Sequence, residues 1–457
     1  MLARGAGAAS RPPRRGARGQ SPDASEAPAS HDQVRAQARA LGRAAARRPR
    51  APEKGLRRAA GALVPRGPGA AAQGCLRPRR GPPGRSLPTR CSRASPRRAR
   101  GRAPRPPQEA LHAPGLPALG LAVPSGVKRR LLDWLACPAC QGTIALTRAV
   151  PDAGDIRDGE LTCVACGARY PITRGIPRLL PPALAVEAIA TAERFGYEWT
   201  RFAEIRPEYE AQMLGWMAPV GRDAFGGRRV LDAGCGKGRH LRLAAAFGAK
   251  DVIGVDLGPA VDAAARNTVD LDNVHVVQGD LTRPPFQRES MDLIYSIGVL
   301  HHLPEPEAGF RALAPVLRPG GRFVAWLYAS EGNGWVLALV DPARRLTSRL
   351  PLPLVSGLAW VVTVPLWVAL RLLYAPARTR DRLGRALPYS SYLKDLVPFP
   401  FREVHSIAFD QLLAPVAHYM PRARVERCFA EGGLTLESLR WHHANSWAAS
   451  GARGGAH

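Results

Sequence analysis

Three carboxylates and four thiols stand in this chain at spacings that chemistry can use. Residues 229–238, Arg-Val-Leu-Asp-Ala-Gly-Cys-Gly-Lys-Gly, end an apolar run on Asp232 and continue at once into glycines at 234, 236 and 238. Glycines so placed let backbone approach a ligand without interference from Cβ atoms. The spacing G-x-G-x-G, with Arg239 next, departs from the G-x-G-x-x-G of dinucleotide sites, and Asp232 would repel a pyrophosphate. It suits a ligand that carries an ammonium group, as S-adenosylmethionine does. Asp256, about twenty residues after the turn, stands where an acid accepts both ribose hydroxyls, and Asp280 is placed to accept from an adenine amino group. The thiols are Cys137-Pro-Ala-Cys140 and Cys163-Val-Ala-Cys166, two C-x-x-C pairs separated by 22 residues. Each pair offers two thiolates from one tight turn, and four together close a tetrahedral zinc site with no open position, so the expected metal is structural rather than catalytic. A redox pair would call for a single C-x-x-C in a thioredoxin-like βαβ setting.

Positioning these groups takes an alternation of strands and helices. Val230-Leu231-Asp232, Val252–Asp256, Val274–Asp280 and Met291–Ser296 read as buried strands, each ending near a candidate ligand group. A fifth starts at Gly320-Gly321 after a helix carrying Phe310, Leu313 and Leu317. The fold class is therefore α/β, a Rossmann-like doubly wound parallel sheet with ligands at the carboxyl ends of its strands.

Four blocks carry a resemblance: VLDAGCGKGRH at 230–240, VIGVDLG at 252–258, QGDLTRPPF at 278–286, and DLIYSIGVLHHLPEPEAGFRALAPVLRPGGRF at 292–323. In this order they resemble the class I S-adenosylmethionine-dependent methyltransferases, nearest to the subgroup typified by ubiquinone and menaquinone C-methyltransferases (methyltransferase type 11). The resemblance implies that Asp232, Gly234, Gly236 and Gly238 surround the methionine moiety, Asp256 with Leu257 holds the ribose, Asp280 with Leu281 meets the adenine, and Ser296 lies near the sulfonium. The text around the cysteines, LLDWLACPACQG and LTCVACGARYPITRGIPRLLP, looks like the small zinc-ribbon proteins that partner tRNA and protein methyltransferases, here fused in cis. An RNA guanine methyltransferase family also places a zinc ribbon ahead of its catalytic domain.

Charge divides the chain. Residues 1–126 hold 26 Lys and Arg against 5 Asp and Glu, 21 of the 28 net positive charges, and have few large apolar residues to offset chain entropy. This segment is expected to be disordered: either a basic arm, or sequence upstream of a misplaced start, since Val127-Lys128-Arg129-Arg130 reads as a translation start. A zinc ribbon follows over 127–181 and an aromatic lead-in over 182–228, where Phe195, Tyr197, Trp199 and Phe202 form a lid on the cofactor mouth or plain packing against the sheet. The methyltransferase core runs over 229–328, an apolar insertion over 329–415, and a helix with strands completing the sheet over 416–457. The 21 residues from Leu350 to Leu370 have no charged side chain and arginines on both flanks. That length could span a bilayer, but Pro351, Pro353 and Pro365 argue against one continuous helix, and a single crossing would strand the closing strands on the far side. The segment is read as a folded cap over the substrate or as a peripheral membrane contact through 350–370. Cysteine use points to a reducing, cytoplasmic setting.

The fourth strand runs into Ser296-Ile297-Gly298-Val299-Leu300-His301-His302, without the Asn-Pro-Pro-Tyr of amino-group methylases or the Pro-Cys of 5-methylcytosine enzymes. Transfer to an oxygen or carbon of a small or lipid-like acceptor is the expected reaction, with His301 or His302 as candidate base and His418 a second candidate. The alternative is an RNA base methyltransferase that uses the ribbon for substrate recognition. A non-enzymatic zinc-ribbon interaction protein would need a decayed cofactor loop, and the loop is intact.

Overall fold

The computed structural model describes residues 126–152, 155–376 and 389–455. The N-terminal segment 1–126, expected to be disordered, lies outside the described residues but for its last, as do Arg378, Arg380 and Arg382 of the arginine flank.

Eleven strands make one sheet in the order β1-β2-β3-β4-β7-β6-β5-β8-β9-β11-β10. The ribbon supplies β1 (Ile144–Asp152), β2 (Asp155–Cys163), β3 (Arg169–Thr173) and β4 (Ile176–Leu179), all antiparallel. Strand β7 (Val274–Gly279) accepts β4 alongside it in parallel, with Arg178 opposite Gln278 and Leu179 opposite Gly279. Next stand β6 (Asp251–Asp256), β5 (Arg229–Ala233), β8 (Met291–Ile297) and β9 (Leu317–Tyr328), all parallel. The chain closes with β10 (Leu434–His442) and β11 (Ser446–Arg453), and β11 inserts antiparallel between β9 and β10. The runs of Val, Ile and Leu in β5, β6, β7 and β8 are buried on both faces, as a sheet covered on both sides requires. Leu317, expected on the helix, instead opens β9: Pro315 interrupts the helix, which ends at Leu313, and the backbone is extended from Leu317.

Helices cover both faces. Helix α1 (Val186–Arg201) lies at the strand ends, and one side carries α2 (Glu208–Met217), α3 (Arg239–Ala246) and α4 (Ala260–Asn267). Met213, Trp216, Leu241 and Val261 from these helices form one core with Val230, Val252 and Tyr295. On the other side α5 (Pro306–Leu313) packs with the C-terminal helix Arg422–Glu431, so that Phe310, Phe323 and Phe429 meet ring to ring. The ribbon's Leu131, Leu135, Leu161 and Tyr170 belong to that same core, so the ribbon and the catalytic sheet share their interior.

The 329–415 insertion folds as helices: α6 (Asp341–Thr347), α7 (Leu352–Ala369), α8 (Ser390–Leu396) and α9 (Phe401–Leu413). Helix α7 runs unbroken through Pro365 and on through a wide turn at Leu370–Tyr374, contrary to the expectation that its prolines would break it. Pro351 caps the start and Pro353 sits in the first turn, where a missing N–H costs nothing, so only Pro365 removes a helical hydrogen bond. Val355, Ala359 and Thr363, spaced four apart, are buried there, Val355 and Ala359 against Phe202, Phe409 and Leu413, and this packing outweighs that loss.

Candidate active site

The strand tips converge as their sequence spacing predicts. After β5 the chain turns through Gly234, Gly236 and Gly238 at φ of +98°, +51° and +82°. A Cβ on Gly234 would lie 2.3 Å from the Val299 side chain, so both its conformation and its neighbour demand glycine. The Gly234 and Cys235 N–H groups donate to the Val255 carbonyl, and the Gly236 N–H donates to Asp256 Oδ2 at 3.0 Å. Asp256 Oδ1 accepts from the Gly258 N–H at 2.9 Å, and burial raises the pKa of this carboxyl. Asp280 accepts from the Thr282 N–H and hydroxyl. Gly234, Gly236, Asp256, Leu257, Asp280 and Leu281 all line one large cavity.

Three expected cofactor residues do not reach this cavity: Gly238, where a Cβ would lie 3.0 Å from Ala264, and two that stand behind the wall. Asp232 is fully buried beneath the turn, and neither of its oxygens has a hydrogen-bond partner. Burial pushes its pKa up to about 8, against the pull of the neighbouring Tyr295 hydroxyl. Ser296 is buried too, its hydroxyl donating to the Ala233 carbonyl at 2.7 Å. The next residues, Ile297, Gly298 and Val299, reach the cavity instead.

The histidines are differently placed from one another. His301 is enclosed against the Tyr328 ring, centroids 4.0 Å apart, and burial holds its pKa well below the usual range. His302 lines the cavity, but its Nδ1 is 2.6 Å from the Val416 carbonyl, and burial lowers its pKa to about 3. A ring so hard to protonate is a poor proton acceptor. His418 pairs through Nε2 with the Pro304 carbonyl at 3.2 Å, and burial lowers its pKa as well.

Helix α1 lies across the strand tips, presenting Ala192, Phe195, Glu198 and Trp199 to the cavity along one stripe. Gly196 makes this approach feasible, since a Cβ there would meet Pro259 at 2.4 Å. Helix α9 answers from the other side with Glu403, Ser406, Ile407, Asp410 and Gln411, at helical spacing. A cluster of buried charges results that the sequence reading did not assemble. Ser406 donates to Glu198 Oε1 at 2.8 Å, while Glu198 Oε2 and Asp410 Oδ1 are buried without partners. Burial, reinforced by the charge of Asp410, raises the Glu198 pKa well above the usual range, and burial raises that of Asp410 to about 6. Lys237 of the glycine turn donates to the Phe202 carbonyl at 2.7 Å and the Tyr209 hydroxyl at 2.8 Å, and lies 4.0 Å from Glu403; burial lowers its pKa to about 8. Only two sequence signals were available: acids seven apart on one helix, Glu403 and Asp410, and a lysine inside a glycine turn.

The cavity, about 810 Å³, continues beneath the insertion, where Leu339, Val362 and Leu366 give it apolar walls and Tyr419 and Gln411 a polar end. Arg344, buried behind that end, donates to the Gln411 carbonyl and the Tyr419 hydroxyl, both at 2.8 Å. Arg194 of α1 donates to the carbonyls of Leu413, Leu350 and Thr347, and so ties α1 to the cap.

The four cysteines of the ribbon bring their Sγ atoms within 4.8 Å of one another. The Cys137–Cys166 and Cys140–Cys163 separations are 3.7 and 3.5 Å, against about 3.8 Å across a tetrahedron with Zn–S bonds of about 2.3 Å. The donor set is all thiolate and closed, and the Tyr170 hydroxyl, 3.1 Å from Cys137 Sγ, supports it from behind. The residues fit a structural zinc ion. The metal knuckle also touches the loop after β7: Ala136 N–H donates to the Pro285 carbonyl, Gln287 N–H to the Trp134 carbonyl, and Leu135 bridges to Phe286.

Comparison with known proteins agrees with this geometry. Residues 231–325 match the methyltransferase domain family, and residues 128–175 match the Trm112p-like protein family. A tRNA U34 carboxymethyltransferase of Methylococcus capsulatus is 35% identical over 135 residues, covering 29% of this chain and 40% of that protein. A ubiquinone biosynthesis O-methyltransferase of Marinobacter nauticus is 30% identical over 156 residues, covering 31% of this chain and 65% of the relative. Among solved structures, an S-adenosylmethionine-dependent methyltransferase of Mesorhizobium loti aligns at 19% identity and a TM-score of 0.32, covering 53% of this chain and 98% of that one. The chain spans 37% to 66% of the length of the first curated relatives it matches. It carries a methyltransferase domain of α/β fold after a Trm112p-like zinc ribbon, the two built into one sheet.

Proposed function

We propose that this chain is an S-adenosylmethionine-dependent methyltransferase that places a methyl group on an oxygen or carbon of a small or lipid-like acceptor. The observation that carries the reading is the single cavity running from Gly234, Asp256 and Asp280 at the strand tips to the apolar walls and polar end under the cap. Its size suits a cofactor and an acceptor held together. Asp256 and Asp280 would hold the ribose and adenine, and Asp232, enclosed beneath the glycine turn with no hydrogen-bond partner, would attract the ligand's ammonium from behind the wall.

The bound cofactor supplies a methyl group already activated by its positive sulfur, so the chain's own task is to align the acceptor and take its proton. Asp410 is the proton acceptor in this reading, ahead of His302: its Oδ1 is unpartnered, and with a pKa of about 6 it is mostly ionised at neutral pH. Gln411 and Tyr419 beside it would orient a hydroxyl, and the apolar walls would exclude water. The setting is cytoplasmic, peripheral to a membrane where the acceptor is a lipid.

The likeness to a tRNA-modifying enzyme favours a second reading, methyl transfer to an RNA base with the ribbon as the recognition module. Both are tested on purified protein by calorimetry with S-adenosylmethionine, then by tritiated methyl transfer to fractionated cell extract. Label entering the organic phase supports the first reading, and label in RNA with salt-sensitive RNA binding supports the second. No heat of cofactor binding, with Asp256→Ala unchanged from wild type, would sink both.

A further inference from the structure

Eleven of the sixteen large apolar side chains exposed among the described residues fall between Trp335 and Leu372, in the cap. Helix α7 is apolar on every side, yet only one face is covered: Val355, Ala359 and Thr363 pack inward, while Leu354, Val361 and Leu372 are 51%, 64% and 65% exposed. A cap that merely enclosed a substrate would turn charged residues outward from such a helix. The exposed face is also continuous with the cavity, since Trp335, Leu339 and Val362 are each about half exposed or more and line its wall as well. The acceptor cavity therefore opens through a rim of apolar side chains.

We propose that this face, α7 with the turn before α6, docks on an anionic lipid bilayer, with the rim of Trp335, Leu339 and Val362 opening toward the hydrocarbon so that a lipid-borne acceptor passes in from the membrane. The inference rests on the lipid-like acceptor reading. Charge complementarity selects the occupant: Arg349, with Arg345 ion-paired to Asp341 at 2.7 Å, stands exposed near the exposed Leu346 at the end of α6, and residues 127–457 carry 39 basic against 32 acidic side chains. Trp360, half exposed and edge-on to the Phe401 ring at 6.3 Å, has the amphipathic character of a residue at the headgroup boundary. The helix lies on the surface rather than crossing it, because its inner face is packed on α9 and the chain returns from the cap to the central sheet through β10 and β11.

The test is flotation of the full chain with vesicles of phosphatidylcholine alone and of phosphatidylcholine mixed with phosphatidylglycerol, beside the triple variant Leu354→Asp, Val361→Asp, Leu372→Asp. None of these three residues lines the cavity. Wild-type protein is expected to float with the anionic vesicles, less with the neutral ones, and the variant to bind roughly a hundredfold more weakly or worse. Cofactor calorimetry should be unchanged in the variant, which separates lost docking from lost folding. Wild-type protein that binds S-adenosylmethionine but stays at the bottom of both gradients overturns the docking surface and leaves the methyltransferase reading standing. Flotation without cofactor binding does the reverse. A dimer in light scattering that the three substitutions dissolve, with no flotation, would assign the face to a second copy of the chain and overturn the proposal.

Discussion

Replacing Asp232 by Asn should make the protein more stable and a worse cofactor binder at once. In the folded chain burial holds this carboxyl protonated up to about pH 8, whereas in the unfolded chain it ionises near pH 4. Between those values the folded state binds more protons, so stability falls as pH rises through the window. At pH 7 the carboxyl sits about three units above its unfolded pKa, a penalty of about 4 kcal/mol at roughly 1.4 kcal/mol per unit. Asn removes the titration but keeps a buried polar group without partners, which costs about 1–3 kcal/mol. The net gain is about 1–3 kcal/mol, a rise in Tm of about 1–4 °C for a folded body of this size, and it should disappear in acid solution. Cofactor binding moves the other way. An ammonium seated in the cavity across the turn favours the ionised form of the carboxyl beneath it, so at pH 7 wild-type binding should release up to one proton, read from calorimetry in buffers of different ionisation enthalpy. Without that charge the variant should lose about 2 kcal/mol or more, at least about thirtyfold in Kd, with no proton release. An Asn variant that is less stable at neutral pH, or binds S-adenosylmethionine as wild type does, refutes the reasoning.

Asp410→Asn should leave cofactor affinity unchanged and slow methyl transfer by about 10²–10⁴-fold. Because a base works only when ionised, wild-type activity should climb with pH through about 6, and the variant should lose that limb of the profile. Cys137→Ser should lower zinc content by elemental mass spectrometry from one ion per chain and weaken cofactor binding, because the knuckle grips the loop at Pro285 and Phe286; full cofactor affinity in zinc-free protein would count against that link. Arg194→Ala removes three hydrogen bonds from a cationic donor and should cost about 2–4 kcal/mol, seen as faster proteolysis within the cap while the ribbon stays protected.

Local patterns in the sequence carried the sheet, because each strand declares itself in a short apolar run and each tip in an acid or glycine within it. The zinc site was legible for the same reason: two short turns hold all four ligands. Long-range assembly was not. Glu198, Lys237 and Asp410 lie on three segments up to about two hundred residues apart, and nothing local to any of them announces a shared pocket. The misreading at Pro365 has another origin. The rule that proline ends helices weighs one lost hydrogen bond, whereas an apolar helix packed on a neighbour gains more from continuing than it loses at one position. Asp232 and Ser296 show that a residue can be assigned to the right strand tip from sequence while the depth of its side chain is decided by packing around the turn.

The pairing of β4 with β7 has a consequence for how the molecule behaves on dilution. An auxiliary subunit bound from solution is lost when its concentration falls below its dissociation constant. A ribbon held by the same polypeptide stays attached at any concentration, in a fixed one-to-one ratio. It also cannot be exchanged: a chain whose metal site is damaged has no replacement ribbon to recruit.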